Sequence, residues 1–188
     1  MHLLRSYFNY VNEPEQALWA LLEERSVAQA CVGYLAATLG WVLFFNIGDG
    51  VSFPILLLKI AIVFVTELTA GCFLSAFCGL FLDFLEVKTS PVKLFVLIGS
   101  AGFIKGLLIA FALISAAVPS ANLVWLSPLA VIVVFALQLG YLVRGLKRAY
   151  GVSYFKATLA WIMACVPVFV TMVLLGVFFV WSIGLLIA

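Results

Sequence analysis

Charge is scarce in this chain. Of its 188 residues only 10% are Asp, Glu, Lys or Arg, and the formal net charge is +2. An ordinary soluble domain is about a quarter charged. Nucleic-acid binding is not expected, because it needs a basic stripe with interleaved aromatics and none is present. Histidine is almost missing, with only His2 at the start of the chain. The four cysteines, Cys31, Cys72, Cys78 and Cys165, each sit inside an apolar stretch without CxxC spacing or a neighbouring histidine. They read as small hydrophobes, not as a disulfide framework or a metal site. The motifs GxSxG, HExxH, GxGxxG and a Walker loop are missing. Ser and Thr occur without a usable His or Asp partner. No catalytic residue, metal or cofactor is therefore expected, and the chain reads as a non-enzyme. Asp83 and Glu86, three apart on one helix face, suit a cation in principle, but solvation of a helix end is the simpler reading.

Apolar residues are plentiful. They make up 66% of the chain, including 17 Phe. A small soluble globule cannot hide that much apolar surface. The bilayer is the partner that composition points to, with the five Trp and six Tyr suited to its headgroup boundary.

Residues 1–25 are the only substantial polar stretch. Four glutamates and the lack of an unbroken apolar core differ from the layout of a cleavable signal. Asn12, Pro14 and Glu15 form a capping pattern, and Ala17, Leu18, Leu21 and Leu22 share one face. A short interfacial helix is expected over residues 14–25. Residues 26–188 then form a five-helix transmembrane domain. Its apolar stretches cover about 26–47, 53–85, 92–118, 123–143 and 157–188. Each meets the requirement of about 20 residues per span. The second and fifth are longer than needed, and bends are expected near Gly71 and Pro167. The expected fold is an all-α membrane bundle. No internal repeat is visible.

Lys and Arg alternate along the connections. The N-terminal segment has Arg5 and Arg25, the second connection Lys88 and Lys93, and the fourth Arg144, Lys147, Arg148 and Lys156. The connections near 48–52 and 119–122 have none. This alternation predicts an N-terminus in the cytoplasm and a C-terminus on the far side of a cell inner membrane. Trp41 and Trp125 then fall near the outer boundary, and Tyr150 and Tyr154 near the inner one.

Three ionisable side chains lie inside apolar stretches: Lys59, Glu67 and Lys105. A charge at mid-membrane costs about 3 kcal/mol on insertion scales, so each needs a partner or a function. Lys59 is expected near the outer boundary, within reach of headgroups. Spans two and three form a hairpin turning near Thr89 to Pro91. For a tight turn at position 90, Glu67 and Lys105 differ in depth by about 12 Å. Pairing is possible on that estimate without being implied. The two charges either lock the bundle or line a proton or ion path. Gly99, Gly102 and Gly106 mark a close-packing face of span three, within the chain or between copies. The basic set Arg144, Lys147, Arg148 and Lys156 either sets topology or forms a cytoplasmic contact surface.

Two stretches resemble the Yip family of five-span membrane proteins, named for interaction with Ypt/Rab GTPases, in its short bacterial form. Pro14-Glu15-Gln16-Ala17-Leu18-Trp19 through Ser26 is similar to the helix that precedes the membrane. Leu139 to Ala157, with Gly145-Leu146, Tyr150, Ser153 and Lys156-Ala157, is similar to the fourth connection. The Asp-Leu-Tyr-Gly-Pro motif of eukaryotic members is missing. The resemblance implies a non-enzymatic role in membrane organisation, trafficking or placement of partner proteins. Partners would be the bilayer and other membrane proteins or a second copy. The alternative is a small transporter or channel using Glu67 and Lys105.

Overall fold

The computed structural model describes residues 26–46, 50–117 and 123–187. The interfacial helix expected over residues 14–25, with His2, Arg5 and Arg25, lies outside them. Every regular element among the described residues is helical. In order these are α1 (Val27–Asn46), α2 (Phe53–Phe84), α3 (Pro91–Lys105), α4 (Leu107–Ala117), a 3-10 turn (Leu123–Leu126), α5 (Ser127–Tyr150) and α6 (Tyr154–Ile187). Five helical stretches are long and apolar enough to cross a membrane, with α3 and α4 together forming the third.

The helix starts follow local chemistry. Ser52 and Ser90 precede α2 and α3 in extended conformation, each followed by Pro in the first turn, where its missing N–H costs nothing. The turn after α2 is a Schellman motif. The Val87 N–H donates to the Leu82 carbonyl and the Glu86 N–H to that of Asp83. Glu86 takes the left-handed conformation, φ 63°, that glycine usually fills. Asp83 Oδ1 accepts from the Thr89 N–H at 3.2 Å and from the Thr89 hydroxyl at 3.0 Å, which closes the turn. Asp83 thus works as a turn acceptor, and no cluster of three or more His, Cys, Asp or Glu that suits a metal occurs among the described residues.

α3 is the central helix, packed against α1, α2 and α5, while α6 lies against α2 and α5. Half of the most apolar 18-residue stretch of the third span is buried, against 6% in α2. The outward faces of α2, α5 and α6 carry exposed Leu58, Ile62, Val65, Ile132, Phe155 and Phe169. Such a surface is costly in water and costs nothing among lipid tails. α2 has 32 residues. At 1.5 Å per residue that is about 48 Å, longer than the ~30 Å hydrocarbon core of a bilayer, which such a helix could cross only by tilting or projecting.

Two expectations need correction. First, the helices outrun their apolar stretches: α5 continues past Val143 to Tyr150, and α6 starts at Tyr154. The basic loop expected over 144–156 is therefore mostly helix, joined by Gly151, Val152 and Ser153. Arg and Lys are good helix formers, and Lys147 and Arg148 suit the negative end of the α5 dipole. Gly151 in the left-handed conformation ends α5, and Ser153 Oγ accepts the Lys156 N–H at the start of α6. α2 and α6 each continue as one helix through Gly71 and Pro167. Second, a break that was not expected falls in span three, at Gly106. Its N–H donates to Phe103, three residues back, at 3.0 Å, which tightens the helix into a 3-10 step.

A polar cavity inside the bundle as the candidate functional site

Close backbone approach sets the geometry of the site. A Cβ added to Gly33 would lie 2.0 Å from the Gly99 carbonyl oxygen, and one on Gly40 2.3 Å from that of Lys105. A Cβ on Gly102 would lie 2.6 Å from the Gly33 carbonyl oxygen. Ala30, Gly33, Ala37 and Gly40 of α1 thus form one seam against Gly99 and Gly102 of α3 and Gly106 just past its end. In lipid, association rests on such packing, because no water is expelled. The α3 glycines meet α1 of the same chain, so this seam is filled.

Tyr34 projects from the seam between α2 and α3. Its ring occupies the space that Cβ atoms on Gly71 and Gly99 would fill. It is 2% exposed, packs tilted against the Phe95 ring at 5.0 Å between centres and donates from its hydroxyl to the Phe95 carbonyl at 3.3 Å. Gly71, expected as a soft point in a helix, is the seat of a tyrosine.

Lys105 stands where α3 passes Gly40, near the middle of the bundle. Its ammonium reaches both carboxylate oxygens of Glu67, at 2.7 and 2.9 Å. The side chains are 12% and 18% exposed, respectively. The Trp41 ring centre lies 6.0 Å from the same ammonium. The expected depth mismatch is corrected by the shape of the turn. Glu67 stands 17 residues before the end of α2, and Lys105 14 residues after the start of α3. That leaves about 4.5 Å, which a lysine side chain bridges. The earlier figure placed the apex at residue 90, whereas the connection runs from 85 to 90 and centres earlier. Lys59 bonds to the Asn46 side chain, tying the start of α2 to the end of α1.

A cavity of about 410 Å³ opens beside the ion pair. Tyr34, Glu67, Lys105, Gln138, Trp161 and Cys165 contribute its polar wall, and Leu74, Ile98, Phe135 and Leu142 its apolar one. Gln138 is 8% exposed. Its amide atoms stay accessible from the cavity, and no hydrogen bond from them to the described residues occurs. Neither Tyr34 nor Gln138 is ionisable in the ordinary range, so a search for intramembrane charges passes over both. The usable signal for Gln138 was an amide alone in the apolar run of the fourth span.

The basic residues gather at one end. The Tyr150 hydroxyl donates to the Ser90 carbonyl at 3.2 Å, which places the α5–α6 junction beside the α2–α3 turn. Arg144, Arg148 and Lys156 are exposed there. Lys147 is drawn down over the Tyr154 ring, 3.9 Å from its centre, so it offers less to a partner. Cys31, Cys72, Cys78 and Cys165 are all free thiols.

In comparisons with known proteins, the chain matches no family model, no curated protein and no solved structure. The resemblance to the Yip family rests on the sequence stretches quoted above.

Proposed function

We propose that this chain is a non-enzymatic, Yip-like membrane protein that organises or places other membrane proteins. Its contact surface is the basic end formed by Arg144, Arg148 and Lys156. In this reading it sits in the inner membrane with that end and the N-terminus in the cytoplasm, and the C-terminus on the far side. The observation that carries the reading is where the charges go. Glu67 and Lys105 neutralise each other, Lys59 is held by Asn46, and the charges exposed for contact cluster at one end. A proton path needs a succession of titratable groups. Around Glu67, among the described residues, the cavity wall holds no second acid and no histidine. The test is affinity capture from detergent-solubilised native membranes with the wild type and with Arg144→Glu/Lys156→Glu. Partners that co-purify with the wild type should be lost with the reversed pair. An identical set of partners from both would remove the basic end from the reading.

The cavity itself favours a second reading, a small transporter or channel with Glu67 and Lys105 on its path. In liposomes, flux present with the wild type and abolished by Glu67→Gln would establish it. Wild-type vesicles no leakier than empty ones would dismiss it.

A further inference from the structure

The cavity has properties that neither partner binding nor a channel requires. Its charges cancel, since Glu67 and Lys105 form a one-to-one pair within it. An ionic guest would bring an uncompensated charge into a low-dielectric setting. Gln138, more than nine-tenths buried, lines the cavity with both an amide donor and a carbonyl acceptor unpartnered among the described residues. Buried polar groups are ordinarily satisfied, and one that is not calls for a missing partner. A hydroxyl is the smallest group that answers both halves of an amide.

The mouth of the cavity faces sideways. α3 and α6 each pack on both α2 and α5, so these four helices surround the cavity. Phe135 and Leu139, on the cavity wall, are 47% and 39% exposed, whereas Leu142 deeper in is buried. Access therefore runs past the exposed Phe135 and Leu139 of α5. The volume of about 410 Å³ lies in the range of small-ligand sites. Its wall is largely apolar, with the polar groups gathered on one side.

We propose that this cavity binds an uncharged, hydroxyl-bearing lipid chain that enters laterally past Phe135 and Leu139 of α5. The hydroxyl exchanges hydrogen bonds with the Gln138 amide, and the hydrocarbon lies against Leu74, Phe135 and Leu139. This assignment stands apart from the partner-binding reading: either can fail without the other.

The experiment uses the full chain in phosphatidylcholine nanodiscs. The probe is hexadecanol carrying a photoactivatable diazirine on its chain, with the matching hexadecanoate and hexadecyltrimethylammonium probes beside it. Saturable labelling by the alcohol is expected, mapped by peptide mass spectrometry to 70–74 and 135–142 and displaced by unlabelled hexadecanol. Gln138→Leu should lower it about tenfold, the loss of one or two hydrogen bonds. Ala136→Trp, at an exposed position on the cavity wall, should block it as well and serves if Gln138→Leu does not fold. Labelling that does not saturate, that spreads over the outer faces of α2 and α6, or that is stronger for either charged probe would overturn the proposal. So would labelling unchanged in both variants.

Discussion

Replacing Gly33 by Ala tests the α1–α3 seam with a single methyl group. The added Cβ would stand 2.0 Å from the Gly99 carbonyl oxygen, and 2.8 Å from its carbon. Ordinary contact begins near 3.4 Å, so the two backbones must separate by more than 1 Å. The obstacle is backbone on a central helix, which cannot swing aside as a side-chain tip would. Overpacking of this kind costs about 1–3 kcal/mol, and the rigid neighbour puts Gly33 at the upper end. A gap of 1 Å also forfeits up to about half of each dispersion contact along the seam. Ala returns about 1 kcal/mol through its higher helix propensity. Gly140→Ala supplies the control, since a Cβ there meets nothing within 4 Å. Gly33→Ala should therefore destabilise by about 1–2 kcal/mol, and Gly140→Ala should be neutral or stabilise by up to about 1 kcal/mol. Reversible unfolding in mixed micelles, followed by circular dichroism, reads the difference. Equal stability of the two variants would refute the backbone seam.

Other perturbations give equally definite outcomes. Lys105→Met leaves the Glu67 carboxylate alone inside the bundle and should cost about 2–4 kcal/mol, a little below a fully buried pair because both partners are partly exposed. Adding Glu67→Gln should restore most of that loss, and the same unfolding assay checks both; a double variant as unstable as the single would deny the pairing. Glu86→Gly relieves a left-handed residue at φ 63° and should stabilise the α2–α3 turn by about 0.5–1 kcal/mol, seen as a raised Tm. Asp83→Ala removes the acceptor for the Thr89 N–H and hydroxyl and should lower stability by about 1–2 kcal/mol, with faster amide exchange at Thr89.

Much of the fold was legible because crossing a membrane demands a set length and an apolar composition of a helix. The five stretches were visible for that reason, and so was the turn near Thr89 to Pro91. Helix ends were less legible. Apolarity marks where lipid stops, not where a helix stops, so the charged last turns of α5 were read as loop, although Gly151 and Ser153 carried the capping signals. Distances within the site depend on details that spacing leaves open. A shift of the turn apex by two or three residues moves the Glu67–Lys105 offset from about 12 Å to about 4.5 Å. Gly71 shows a different limit: a glycine inside a helix signals a bend or a close neighbour equally well, and only the position of Tyr34 reveals the neighbour. The glycines at 99, 102 and 106 were visible as a packing face, but their partner on α1 was not: Ala30, Gly33, Ala37 and Gly40 repeat at the same three- and four-residue steps, yet spacing alone does not say which helix a small-residue face meets.

The claim that the exposed basic end meets partner proteins has a direct test in native membranes. A photocrosslinking amino acid at position 144 probes that end, and one at position 132 probes an outward, apolar face of α5. The account predicts discrete protein adducts from 144, lost when Lys156→Glu is added, and only lipid adducts from 132. Adducts from 132 alone, or none at either position beyond lipid, would contradict it.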